Sequence, residues 1–394
     1  MKIDPYQHQE SWVRWKKKIH ELGFIPEISR ANSSIILRYL NDMELGINTS
    51  LSSSKGARSF TRLRTLKSRL IFLAKKFEEH FSLDDITAIT EEQVCSFFTG
   101  MRNGKLIRQD GAKYRATKDF VKNFKSFWHW HQKVAKKGGK TVEDITQYLD
   151  TSGEKPEWVY MNEEQIRQFS DNCKPHYKAL VLFLFDSGVR APTELMNIKV
   201  SDFSPNYKEV TIRDEVSKTF GRRIKLMICP EIMKRYVKDE KLQSEDYLFT
   251  LKPHNINKYL KRLAKKLFGE EKSQAGQKYS ELSMYDFRHN SCCYWLPRYK
   301  SESALKYRFG WKKSDKIHYY SEMLGMRDTI TEEDLLVDVT KTELEKRLVH
   351  AEKRADLFEG QVEVMKNQMV RIYDEVTNLK TQVELLGGIT CNQS

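Results

Sequence analysis

The 394-residue sequence contains no closely spaced cysteine pair: Cys95, Cys173, Cys229, Cys292, Cys293 and Cys391 make no CxxC. Disulfide frameworks and zinc sites both need tighter, patterned spacing, so these are expected to be reduced thiols of an intracellular protein, with no metal site and no cofactor. Cys292 and Cys293 sit in an apolar, helix-like run and read as core. Also missing is any continuous apolar stretch of about 18 residues, which excludes a membrane-spanning helix. No signal pattern opens the chain, so a cytoplasmic, nucleoid-associated location is expected. Acid is scarce relative to base: 54 Asp and Glu against 68 Lys and Arg leave a net charge of +14. The cations are spread along the chain, which favours a polyanionic partner, nucleic acid before membrane. The length allows two or three domains, each with its own core.

What is present is mostly helical text. Trp12, Trp15, Ile19 and Leu22 fall on one face of a short amphipathic helix, so residues 1–30 read as a helical arm that packs on the next domain, binds a partner or touches the DNA backbone, packing first. Residues 31–134 carry four helical stretches, at 34–45, 59–77, 90–101 and 116–134. The second combines an apolar stripe with Arg58, Arg62, Arg64, Lys67 and Arg69, a face suited to phosphates. The aromatic run from Phe124 to Trp130 is assigned to the core rather than to base stacking. Residues 135–157 form a polar link with glycines and a proline. Beyond it, Asn162 caps a helix, and 177–187 is a buried-type helix. Two strand-like runs, at 209–216 and 223–228, flank a turn, and helices resume at 230 and at 255–268.

The stretch from Ser283 to Tyr320 organises the rest. It opens with Arg288-His289 and closes on Gly310-Trp311, with tyrosines at 319 and 320. Its partners lie upstream: Arg190 after the turn Ser187-Gly188-Val189, and Lys218 in the turn between the two strands. This ordered set resembles the catalytic set of the tyrosine recombinases, or phage-type integrases, over residues 32 to 325. The wording is closest to archaeal integrases of mobile elements, which often carry Trp before the nucleophile.

The resemblance implies a mainly α fold with a small β-hairpin: a helical core-binding domain at 31–134, an α+β catalytic domain at 158–330 and a separate C-terminal tail. It implies site-specific recombination of double-stranded DNA through a 3′-phosphotyrosyl intermediate, without metal or ATP, by a tetramer on two DNA sites. Carried over residue by residue, Arg190 and Arg288 clamp the phosphate, and Lys218 is the acid for the leaving oxygen, its ammonium tuned by Arg222 and Arg223, which also face DNA. Trp311 donates its indole N–H or fills the pocket wall, and Tyr320 is the nucleophile by its spacing of nine from Trp311, with Tyr319 the neighbour to exclude. His289 is expected to support the fold. Two departures stand out. Tyr285 occupies a place usually held by His or Lys and either donates one hydrogen bond or packs; Glu194 falls one residue late for the usual acidic partner of the arginine. The rival readings are a type IB topoisomerase and a non-catalytic DNA-binding coiled-coil protein.

The tail carries the strongest periodicity in the chain. From Leu344 to Leu386 apolar residues recur at alternating steps of four and three, which predicts a coiled coil over 338–388. With Leu344 at d, valines hold a positions at 362, 376 and 383. In a parallel pair, Arg347 faces Glu352, Arg354 faces Glu359 and Glu375 faces Lys380. That pattern predicts a parallel homodimer, with Phe358 and the methionines leaving higher orders open.

Overall fold

A computed structural model describes residues 3–47, 56–153, 156–299 and 301–324, and in the tail residues 352, 355, 358–360, 362–373, 375 and 376. The described residues up to 324 form one compact unit and the tail another. Five helices open the chain: α1 (His8–Leu22), α2 (Arg30–Leu45), α3 (Phe60–Phe81), α4 (Glu91–Asn103) and α5 (Thr117–Lys137). Local chemistry sets their starts. Ser29 and Ser59 accept from the backbone of α2 and α3, and Thr90 with Gln93 forms a reciprocal capping box on α4. Each amphipathic helix turns its stripe inward, and Leu63, Leu66, Leu70, Leu73 and Phe77 of α3 are buried. Phe124, Phe127, Trp128 and Trp130 of α5 are buried with them, as expected of core aromatics. Trp12 and Ile19 of α1 belong to this same cluster, whereas Leu22, in the last turn before Gly23, is exposed.

The stretch 135–157, expected as a polar link, is anchored over its middle part. Trp128 donates its indole N–H to Glu143 O at 2.9 Å, Gln132 donates to Val142 O at 3.1 Å, and Leu149 is buried in the first cluster. Val142, Ile145 and Leu149 give it an apolar edge that its glycines and lysines mask in the sequence.

The second half has its own core. α6 (Glu163–Asp171) starts on a capping box of Asn162 and Gln165, and α7 (Pro175–Ser187) is buried on nearly all sides. Strands β1 (Glu209–Ile212) and β2 (Arg222–Lys225) pair antiparallel, with Ile212 opposite Arg222. Both are shorter than expected. At the end of β1 the chain turns, with Val216 and Ser217 N–H donating back to Arg213 O. After β2 the backbone N–H groups of Met227, Ile228 and Cys229 all donate to Asp186 Oδ2, at 2.9, 2.6 and 2.9 Å, so they have no strand partner to seek. Helices α8 (Pro230–Asp239), α9 (Pro253–Phe268), α10 (Met284–Trp295), α11 (Glu302–Phe309) and α12 (Asp315–Met323) follow. α10 packs along α7 and carries Arg288 into the interior, with His289 half-buried beside it.

In the tail, residues 362–373 are helical. Phe358, Val362, Met365, Met369, Ile372 and Val376, all expected at a or d, are each more than half exposed on the single chain. The remainder of the expected coil, including Leu344 and Leu386, lies outside the described residues. Among the described residues no helix is long and apolar enough to cross a membrane.

Candidate active site

The site is assembled on the C-terminal end of α11. The last carbonyls of a helix have no intrahelical partner and carry the negative end of its dipole. Three guanidinium groups meet them in register: Arg222 Nε donates to Arg308 O at 2.8 Å, Arg288 Nη2 to Phe309 O at 2.6 Å, and Arg190 Nη2 to Gly310 O at 2.7 Å. Gly310 has φ 61, and a Cβ there would stand 3.0 Å from Arg222 and 3.2 Å from Arg190. Only glycine both ends the helix in the left-handed region and leaves the arginines their room.

Arg190 follows α7 across a turn that explains its glycine. Gly188 has φ 63, and a Cβ would lie 2.4 Å from the Phe309 ring. Its carbonyl accepts from Arg288 Nη1, so the turn holding one arginine positions the other. Arg288 is buried; burial first, and the charge of Arg190 second, push its pKa down to about 10, leaving it cationic at neutral pH.

Glu194 braces Arg190 and Arg222. Its carboxylate, 1% exposed, accepts from Arg190 Nη1 at 2.7 Å and from Arg190 N at 2.8 Å. It also takes both Arg222 nitrogens, at 3.1 and 2.8 Å. Burial opposes its ionisation, but the hydrogen bonds and charges of Arg222 and Arg190 outweigh burial and hold the carboxyl at about 2. One residue of displacement therefore does not cost Glu194 its arginine. Arg222, by contrast, is not a DNA-facing cation: its side chain is fully buried, and its charge is taken up by Glu194. It cannot act as a free cationic neighbour of Lys218.

The tyrosines separate cleanly. Tyr320 on α12 is 3% exposed and stacks on Trp311, ring centroids 6.0 Å apart at 12°. Trp311 stacks in turn on Phe309 at 4.9 Å. The Tyr320 hydroxyl lies 2.5 Å from His289 Nδ1. Burial raises the phenol's pKa, and nearby Arg288 only partly offsets it. His289 is itself fixed, stacked on Trp158 at 4.9 Å and met edge-on by the Tyr285 ring at 5.1 Å. Tyr285 is about half exposed at the rim. Tyr319 points elsewhere: it donates to Pro156 O and accepts from the Trp158 indole, both at 2.8 Å.

Lys218 is exposed in the β1–β2 loop and makes no hydrogen bond or ion pair with another described residue. The adjacent Thr219 donates to Gly310 O at 2.9 Å, the carbonyl that Arg190 also uses. Of the five cations expected to face phosphates, Arg62 is exposed and Arg58 is half-buried and partnered. The others are engaged on the protein's own surface. Arg64 donates to Tyr6 O and contacts His8 Nδ1, Lys67 lies over the Trp15 ring, and Arg69 lies over Phe120 beside Asp119. Arg223, one residue along β2 from Arg222, is exposed.

The positions that sequence reasoning undervalued are Glu194, His289 and Trp158. For Glu194 the available signal was its i+4 spacing from Arg190 on a helical turn. For Trp158 no sequence signal connects it to His289.

No family model and no curated protein matches the sequence. Solved structures do. A lambda integrase dimer bound to a COC′ core site superposes with a TM-score of 0.53 at 14% identity, covering 79% of each chain. The Tn1549 transposon integrase in complex with transposon right end DNA gives 0.51 at 12% identity, over 77% of this chain and 96% of that one. The same integrase in complex with circular intermediate DNA gives 0.52 at 12%, over 78% and 98%. At these identities the likeness concerns the backbone, and by it this chain has the fold of the tyrosine recombinases and integrases.

Proposed function

We propose that the chain is a site-specific DNA recombinase of the integrase type, cleaving and rejoining strands through a 3′-phosphotyrosyl bond at Tyr320. The observation that carries this reading is the convergence at one helix end: Arg190, braced by Glu194, and Arg288, held by the Gly188 and Phe309 carbonyls, stand beside a buried tyrosine whose hydroxyl meets His289. The lambda and Tn1549 integrases that share the fold were solved on DNA. Breaking a phosphodiester requires a nucleophile, charge neutralisation on the non-bridging oxygens and an acid for the leaving oxygen. In this reading Tyr320 attacks phosphorus as its proton passes to His289. Arg190 and Arg288 turn guanidinium donors from the α11 carbonyls to the phosphate, and Lys218 protonates the departing 5′ oxygen. The bond energy is kept in the phosphotyrosine, so religation to a second strand needs neither ATP nor metal. The resemblance to archaeal integrases rests on Trp311 and its spacing to Tyr320. Arg62 and Arg223 are the expected phosphate contacts outside the catalytic pocket. We place the core-binding domain at 31–134 and the catalytic domain at 158–330, joined through 135–157 and closing on a duplex as a tetramer on two sites.

The test is covalent capture. Nicked duplexes from a random-sequence pool, incubated with the chain and denatured, are expected to yield a protein–DNA adduct that protease reduces to a phosphotyrosyl peptide at Tyr320. Binding without an adduct at any sequence would leave the non-catalytic reading in its place. Relaxation of supercoiled plasmid without exchange between two captured sites would favour the topoisomerase.

The tail serves assembly in this reading, joining protomers in parallel through the exposed stripe from Phe358 to Val376. Each flanking charge pair contributes about 0.2–1 kcal/mol, enough to choose orientation rather than to drive association. The full chain is expected to sediment as a dimer or larger without DNA, and a chain ending at residue 337 as a monomer. Oxidised Val362→Cys is expected to give a disulfide-linked dimer; its absence, with both chains monomeric, excludes the coil.

A further inference from the structure

The loop between β1 and β2 carries Lys218 on an exposed tip, yet the residues just after it are held from outside the hairpin. Phe220 stacks on Tyr307 of α11, ring centroids 6.1 Å apart at 27°. The Tyr307 hydroxyl accepts the Arg223 N–H at 3.1 Å, a donor on the open edge of β2 that has no strand partner. Thr219 reaches the end of the same helix through Gly310 O at 2.9 Å. Inside the loop, Gly221 N–H donates to Asp214 at 2.6 Å, which closes the turn on itself but does not orient it toward the site. Tyr307 is half exposed and takes no part in any of the three hydrophobic clusters, including the one built on Leu305 and Phe309 of its own helix, so its ring is not accounted for by packing of the fold.

We infer that Tyr307, with Phe220, is a positioning residue that clamps the Lys218 loop onto α11, the helix whose end also holds Arg190 and Arg288, so that acid and phosphate clamp share one frame. The inference rests on the recombinase reading above. The base of the hairpin is held by the buried Val210, Ile212 and Arg222, but among the described residues no third strand flanks its tip, which keeps freedom to tilt about that base. Tyr307 removes that freedom by a ring contact and an edge hydrogen bond. Lys218 then stays within reach of the 5′ oxygen as the P–O bond breaks and the ammonium proton moves to it, leaving a 5′ hydroxyl and a neutral amine.

The experiment uses the full chain and the duplex recovered by covalent capture, made once with the ordinary 5′ oxygen at the cut and once with sulfur in its place. The thiolate leaves without a proton, so a defect in acid positioning vanishes on sulfur. Tyr307→Ala is expected to cleave the ordinary duplex about 10–100-fold more slowly, the scale of loss that a misplacement near 1 Å brings, and the sulfur duplex at close to the wild-type rate. Lys218→Ala sets the reference pattern, and Tyr307→Phe, which keeps the stack and loses the Arg223 bond, is expected to fall between Tyr307→Ala and wild type. Hydrogen exchange over residues 213–223 is expected to quicken in Tyr307→Ala without DNA. Should that variant fail to fold, Phe220→Ala tests the same stack from the loop side. Equal slowing on both duplexes, no slowing on either, or unchanged exchange overturns the clamp. A wild-type chain that captures no duplex covalently overturns the recombinase reading itself, and this assignment with it.

Discussion

Tyr320→Phe is expected to bind DNA and form no covalent adduct, whereas Tyr319→Phe is expected to keep the adduct. The two side chains leave α12 about 100° apart, so one phosphate can be served by only one of them. Tyr319 is spent on structure, its hydroxyl shared between Pro156 O and the Trp158 indole. Tyr320 lies near Arg288, stacked on Trp311 with its oxygen on His289. Its buried phenol, raised in pKa, is protonated at neutral pH, so attack requires a proton acceptor in contact, and His289 Nδ1 is the atom in place. Removing one oxygen changes no charge and costs about 1 kcal/mol of stability for the lost hydrogen bond, too little to unfold the chain. The readout is a denaturing gel after incubation with the captured duplex, beside a native binding assay. An adduct in Tyr320→Phe and none in Tyr319→Phe would move the nucleophile by one residue and break the spacing argument from Trp311.

Much of this site was legible because its requirements are local. A Ser-Gly turn before an arginine and a glycine before a tryptophan announce helix ends, and both prove to be places where a Cβ would strike a ring or a guanidinium. The aromatics of α5 were legible as core because so dense a run of large rings in a helix is buried sooner than left to solvent. Arg222 was misread because two adjacent arginines in a turn look like a basic patch. The strand period separates them, since Arg222 and Ile224 face inward while Arg223 and Lys225 face out. That alternation was available once the strand was assigned. The contact of His289 with Tyr320 was not, since it joins α10 to α12 through tertiary packing that no spacing encodes. The anchoring of 140–149 was hidden for the opposite reason: three apolar residues among lysines and glycines carry little periodic signal until α5 supplies a surface.

Glu194→Ala is expected to destabilise the chain by about 3–5 kcal/mol, the usual cost of stranding a buried charge, and to lower strand cleavage by a larger factor than the loss of folded protein explains. The carboxylate neutralises Arg222, whose side chain has no exposed surface, and orients Arg190 through both its guanidinium and its backbone N–H. Removing it leaves two guanidinium groups near Arg288 with no counter-charge, so the site repels itself before any phosphate arrives. Glu194→Gln keeps the shape and part of the hydrogen bonding and is expected to lie between Ala and wild type. The sign with pH follows from the depressed pKa. A carboxyl held at about 2 when folded, against an ordinary 4.5, contributes stability that is fully present above about pH 4.5 and is lost as pH falls toward 2. The gap in urea midpoint between wild type and Glu194→Ala is therefore expected to be constant from pH 7 to 5 and to close below pH 4. A gap that is small at pH 7, or that persists unchanged at pH 3, would show that the arginines do not depend on Glu194 for their charge balance. Supplied phosphate or sulfate gives the complementary measurement. An anion that occupies the place of the missing carboxylate is expected to recover part of the midpoint in Glu194→Ala and to shift wild type less, because in wild type Glu194 already holds Arg222 and one face of Arg190.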